Sequence, residues 1–233
     1  MSAMDTVTVY GFQRSTYVNV ARLVLTAKGV PFAFHDTESE MYSEAHLKRH
    51  PFGRVPVLQH GSFWLYETNA ITVYVDEAFP GPRLQPVELQ KRAKMHQWIS
   101  SLNSYFYPYI VYYLVHERVV FPELGIAPDE AVVATAVPKI KHALLVMEDQ
   151  LSGEQRFLAD ASPTLADYFL LPTLTSLAFA PEGMQLLEHF PRVRAWRAAM
   201  EALDQVKTFR STLPPRTPIE HARRWATEHR AKA

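Results

Sequence analysis

The stretch RVPVLQHGSFWLYET, Arg54 to Thr68, carries residue types whose spacing suits the holding of a small peptide-like ligand. Pro56 has no amide hydrogen and cannot donate to a β-ladder, yet it stands at the mouth of the apparent strand VPVLQ. A cis Val55-Pro56 bond turns the chain there and leaves Val55 to present its own N–H and C=O outward, where an extended peptide can pair with them. Glu67 and Thr68 come directly after the second apparent strand, FWLYE. The Thr68 hydroxyl and the first-turn amides of the next helix form a carboxylate site, and Glu67 beside them accepts from an amino group. A ligand with a free α-amino acid end and a short peptide backbone matches all of these features.

Such a site needs a sheet and helices to position it. TVTVY (Thr6 to Tyr10) reads as a strand, Ser15 as the cap of a helix with Val20, Leu23, Val24 and Ala27 on one face, and Gly29 as its stop. VPFAFH is a second strand, and a short helix spans Ser43 to Lys48. After the turn His50-Pro51-Phe52-Gly53 come the strands VPVLQ and FWLYE, then a helix from Thr68 with Ile71, Tyr74, Val75 and Ala78 on its buried side. The order β-α-β-α-β-β-α predicts a small sheet with helices on its faces over residues 1–79. Prolines 80, 82 and 86 mark a linker, 80–88. From 89 to 233 every long segment has helical period: a stripe at Met95, Trp98, Ile99, Leu102 and Phe106, a helix bent at Pro138, one opened by a Thr164–Asp167 capping box, and further helices near Val193–Leu203 and 219–229. The fold class is α/β followed by all-α.

Composition narrows the function. The 24 basic residues balance 24 acidic ones, so no global field gathers nucleic acid or an anionic membrane, and a small molecule is the expected partner. Cysteine is absent, which excludes thiolate metal sites and cysteine nucleophiles; any thiol chemistry must use a thiol brought by the ligand. The N-terminal residues lack the pattern of a signal peptide, and no apolar run is long enough to span a bilayer, so a soluble, cytoplasmic protein is expected.

The segments HPFGRVPVL…LYETNAITVYVDEAFPGPRLQP and PTLADYFLLP, in this order and spacing, resemble those of the cytosolic glutathione transferases, and the resemblance runs over essentially the whole chain. It implies a thioredoxin-like first domain, a helical second domain, a homodimer, and glutathione as cosubstrate with no metal. It also implies that Val55, before cis-Pro56, meets the cysteinyl part of glutathione, and that Glu67 and Thr68 meet its γ-glutamyl end. Arg54 stands before Val55 where the family usually carries lysine or glutamine and is expected at the glycine end; Met41-Tyr42 stands where phi-like members carry a His-Lys pair, and His50 where they carry asparagine.

Glutathione reacts as its thiolate, so a transferase needs a donor that stabilises the anion. Ser15 resembles the serine of theta- and phi-like and related bacterial members, and Arg22 falls where several of them carry arginine. Thr16, Tyr17 and Tyr10 are alternatives. Phe12, Tyr105, Tyr109, Tyr112, Tyr113 and His116, on a helix kinked near Pro108 in the case of the last five, read as an aromatic wall for an apolar electrophile where the two modules face each other, or as core and dimer packing. His46 and His50 have the i, i+4 spacing of a metal pair but no acidic third ligand, and a solvated or turn role is expected for them. A non-catalytic glutathione-binding or scaffold protein, and a maleylacetoacetate-type isomerase, are the alternative functions.

Overall fold

The computed structural model describes residues 6–153, 156–215, 217–219, 221–224 and 226. The chain divides into two compact units: residues 1–83 with 204–216, and residues 84–203 with 217–233.

The first unit is built on a four-stranded sheet in the order β2-β1-β3-β4: β1 Val7–Gly11, β2 Ala33–Asp36, β3 Val57–His60 and β4 Phe63–Tyr66. β2 runs parallel to β1, whereas β3 and β4 are antiparallel to their neighbours. Alternation sets the faces: Val7, Val9 and Gly11 of β1 are buried, and Thr8 and Tyr10 lie on the opposite side. Helices α1 Thr16–Ala27 and α3 Thr68–Ala78 pack against one another and against the buried face. A short turn of helix, Glu38–Glu40, and α2 Glu44–Arg49 precede β3.

α1 is buried over most of its circumference, including Val18, Ala21 and Leu25 as well as the expected Val20, Leu23, Val24 and Ala27. Gly11 permits the close approach, since a Cβ there would collide with the Val18 side chain. Gly29, at φ +68°, ends the helix in a conformation that favours glycine. α3 turns a different face inward from the one expected: Ile71, Thr72, Val75 and Asp76 are buried, Tyr74 is half-buried and Ala78 exposed. The reason is Lys28, a buried cation whose Nζ donates to Asp76 Oδ1 (3.1 Å), Asp76 O (3.0 Å) and Pro82 O (3.0 Å), which turns the Asp76 side of α3 toward α1. The tenth helix, α10, is placed with this unit although it lies far along the chain, Asp204–Ser211; it packs on α1.

The second unit is helical: α4 Leu89–Ser101, a π-helical stretch in two tracts, Leu102–Phe106 and Pro108–Val120, a turn α5 Phe121–Glu123, then α6 Glu130–Gln150, α7 Leu165–Leu177, α8 Pro181–Glu188 and α9 Pro191–Glu201. Helix α7 is its axis, with ten consecutive residues, Leu165 to Leu174, all buried. The capping box is present, and Asp167 does more than cap: its carboxylate accepts from Thr164 N (2.8 Å), Thr164 Oγ1 (2.9 Å), Leu158 N (3.0 Å) and Trp196 Nε1 (2.8 Å). Burial pushes this carboxyl up, and the four donated bonds oppose the shift. α6 runs through Pro138 from Glu130 to Gln150. Of the helix expected over 219–229, residues 220, 225 and 227–229 lie outside the described residues.

Candidate functional site

One row of the sheet adjoins the three segments of the first unit singled out in the sequence. Tyr10 pairs with Val57, and Val57 with Tyr66. β1 therefore ends, β3 begins and β4 ends on the same edge. The loop to α1 leaves the sheet there just after Tyr10, Val55-Pro56 enters it just before Val57, and Glu67-Thr68 departs just after Tyr66. Two helix N-termini, those of α1 and α3, start from this edge, so amide donors and the positive ends of two dipoles gather there.

Ser15 is the N-cap of α1 and is buried, with 9% of its surface exposed. Its Oγ accepts from Val18 N at 3.3 Å. That contact uses a lone pair and leaves the hydroxyl hydrogen for another acceptor. The alternatives are placed differently. The Tyr10 hydroxyl donates to Gln59 Oε1 at 2.8 Å on the sheet face opposite α1, beneath the Arg49 guanidinium at 4.8 Å from its ring. The Thr16 hydroxyl oxygen is sealed inside the protein. Tyr17 is half-buried in the first turn of α1, and Phe12 is half-buried in the loop before it.

The Val55-Pro56 peptide is cis. Pro56 is buried and Val55 half-buried, outside the ladder, which begins at Val57. Arg54 is exposed. Glu67 has φ +71°, the left-handed region that a side chain with a Cβ enters at a cost of about 1–2 kcal/mol, and its carboxylate is exposed and does not cap α3. Thr68, the first residue of α3, is buried.

The sequence reading matched Arg22 to the family but missed its partners. Arg22 is 5% exposed, lies between the rings of Phe34 (4.6 Å) and Phe209 (5.5 Å), and donates from Nη1 to Gln13 Oε1 at 2.7 Å. Asn19 Nδ2 holds the Gln13 carbonyl at 3.1 Å. Gln13 is thus gripped by side chain and backbone, which fixes the loop two residues before Ser15. Burial lowers the Arg22 pKa, and among the described residues no carboxylate pairs with it. No local pattern announces Gln13; only the turn of α1 brings Asn19 and Arg22 back over it.

His46 and His50 are both buried, not solvated. No group of three or more possible metal ligands occurs among the described residues.

The aromatic residues of the second unit ride the π-helical stretch, whose second tract begins at Pro108. Bonding from i to i+5 brings side chains four and five apart over one another. Tyr107 meets Tyr112 (5.2 Å between ring centres), Tyr112 meets His116 (5.4 Å) and His116 meets Phe121 (5.5 Å), a continuous ladder of rings. Tyr109 and Tyr113 form a separate pair at 5.4 Å. Tyr105 and Tyr113 are exposed, and Tyr109, Tyr112 and His116 are half-buried.

Residues 9–83 match the family model of the glutathione S-transferase N-terminal domain, and residues 130–199 that of its C-terminal domain. Glutathione S-transferase F7 of Arabidopsis thaliana is 31% identical over 209 residues, 88% of this chain and 99% of that protein. Among solved structures, the apo form of glutathione S-transferase III superposes with a TM-score of 0.82 at 30% identity, over 91% of this chain and 99% of that one. A glutathione S-transferase-I bound with lactoylglutathione gives 0.80 at 26% identity, over 88% and 99%. With both domain models matched in order and such similarity along nearly the full length of its relatives, the chain belongs to the glutathione S-transferase family.

Proposed function

We propose that the protein is a serine-type glutathione transferase, which binds glutathione along the edge marked by Tyr10, Val57 and Tyr66 and activates its thiol with Ser15. The observation that supports this reading is the register: Tyr10, Val57 and Tyr66 share one row, and the loop leading to Ser15, the Val55-Pro56 segment and the Glu67-Thr68 helix start all join the sheet at that end. Val55 pairs with the cysteinyl backbone of the ligand, Glu67 accepts from its α-amino group, and Thr68 with the first amides of α3 receives its α-carboxylate. Arg54, exposed beside them, meets the glycine carboxylate. The Ser15 hydroxyl, with its oxygen already accepting from Val18, donates its hydrogen to the sulfur, and the α1 N-terminus favours the anion. The thiol proton leaves to solvent. The thiolate then supplies the electron pair of a new S–C bond to an electrophile, whose leaving group departs with the pair it held. The aromatic ladder of the second unit supplies an apolar wall of the kind such electrophiles need.

The relative solved with lactoylglutathione supports a glutathione conjugate as ligand class. We assign the protein to the cytoplasm as a homodimer; among the described residues no helix is long and apolar enough to cross a membrane, and Phe52 (70% exposed), Phe63, Trp64 and Tyr66 present aromatic surface suited to a second copy. The decisive experiment is the absorbance of the enzyme-bound thiolate as a function of pH, for wild type and Ser15→Ala. A bound thiol titrating well below about 8.5, restored to that value by the substitution, is expected. Glutathione bound with an ordinary thiol would assign the fold to binding alone.

A further inference from the structure

α2 and the turn that follows it hold two histidines to which the proposed chemistry gives no task. His46, in α2, is fully buried, and its Nε2 lies 2.9 Å from the carbonyl oxygen of Arg54. A carbonyl only accepts, so Nε2 carries the hydrogen and Nδ1 is the bare nitrogen; that Nδ1 is sealed and makes no hydrogen bond. His50 closes the helix: its amide donates to His46 O (2.8 Å), its carbonyl accepts from Gly53 N (2.8 Å), and its ring packs against Tyr66 at 4.9 Å. Gly53, at φ +60°, completes the turn and delivers the chain to Arg54.

The Arg54 carbonyl and the Val55 N–H belong to one peptide plane, and in a trans peptide they point in opposite directions. A bond from His46 to the carbonyl therefore aims the Val55 amide hydrogen away from α2. Val55 lies outside the ladder, so this plane has no sheet partner to orient it. We propose that His46 is a positioning residue for glutathione: its Nε2–H fixes the Arg54–Val55 peptide so that the Val55 N–H is presented to the carbonyl of the ligand's cysteinyl residue. The inference rests on the glutathione site of the proposed function. It places the effect of His46 on binding and not on thiol activation, because Ser15 is held by its own helix.

The test is titration of the full-length protein with glutathione, together with steady-state kinetics against an aryl chloride, for wild type, His46→Phe, His46→Met and His46→Gln. The two apolar variants raise Kd and KM for glutathione about tenfold, the loss of one buried hydrogen bond's worth of orientation, and leave kcat at saturating glutathione within about twofold. Glutamine, whose amide nitrogen can reach the same carbonyl, restores Kd to within about threefold. A second measurement needs no variant: the nitrogen shifts of wild-type His46 must report the Nε2–H tautomer. Wild-type affinity in a folded apolar variant, or an Nδ1–H tautomer in the wild type, overturns this inference alone. No saturable binding of glutathione to the wild type removes the functional reading, and this one with it.

Discussion

Ser15 and Tyr10 are hydroxyls at opposite ends of the same loop with opposite commitments. Ser15 accepts from the Val18 amide and keeps its hydroxyl hydrogen available to donate, whereas Tyr10 donates its hydroxyl hydrogen to Gln59 Oε1. Ser15→Ala is expected to lower kcat/KM on the order of 10²-fold and to cost about 1 kcal/mol of stability as a lost cap. Tyr10→Phe should cost about 1 kcal/mol and leave kcat/KM within about twofold. Kinetics and thermal melts on the pair separate the two, and a larger kinetic loss for Tyr10→Phe would reverse the assignment. The sequence ranked Ser15 ahead of Thr16, Tyr17 and Tyr10, but the Tyr10–Gln59 bond was not legible in it, because the partner lies 49 residues further on. The cis Val55-Pro56 peptide and the helix start at Thr68 were legible, since each signal is carried by adjacent residues.

Among the elements, α7 depends on one carboxylate. Asp167 joins the start of α7 to the segment at Leu158 and, through Trp196, to α9. Asp167→Ala leaves four donors without their acceptor, two of them backbone amides, and should destabilise the protein by about 3–5 kcal/mol. A denaturant titration monitored by circular dichroism measures it, and a loss below about 1 kcal/mol would mean that the segments hold together without this group. The capping box was legible as a spacing of three residues, whereas the reach to Trp196 was not. Two helices, α8 and α10, are eight residues each and gave too short a pattern to find. The π-helical stretch was missed for a different reason. A search at period 3.6 sees Tyr105 to His116 as an irregular aromatic cluster, while i to i+5 bonding makes a ladder of it.

For the molecule as a whole, acid is the informative stress. Burial pushes His50 down to about 4, with the charges of His46 and Arg54 adding to it, and burial also lowers His46. The charged neighbours are Arg49 on α2, Glu40 in the preceding turn and Arg54. Both folded pKa values lie below the ordinary 6.5, so the unfolded chain takes up protons that the folded one refuses. Stability from this source is complete above pH 6.5 and falls as the pH drops toward 4, by on the order of 3 kcal/mol for His50. Carboxylates titrate in the lower part of the same range, so the comparison is wild type against His50→Asn: urea midpoints should converge as the pH falls from 7.5 to 4.5. A constant gap would show that His50 is not the sensor.

The placement of α10 has a consequence for how the protein is made. Phe209, which covers Arg22, and the rest of α10 are joined to the first unit only after about 120 intervening residues of the second. At roughly 5–20 residues per second, a ribosome spends on the order of 10 s between completing Arg83 and delivering α10. During that interval α1 is exposed along the side that α10 will cover, with the buried guanidinium of Arg22 open to water. The first domain to emerge is therefore finished only after residues 84–203 of the second have been made. Nascent chains stalled once residue 203 has cleared the exit tunnel should be cut within residues 1–83 far faster than chains that also expose α10, with residues 84–203 equally resistant in both.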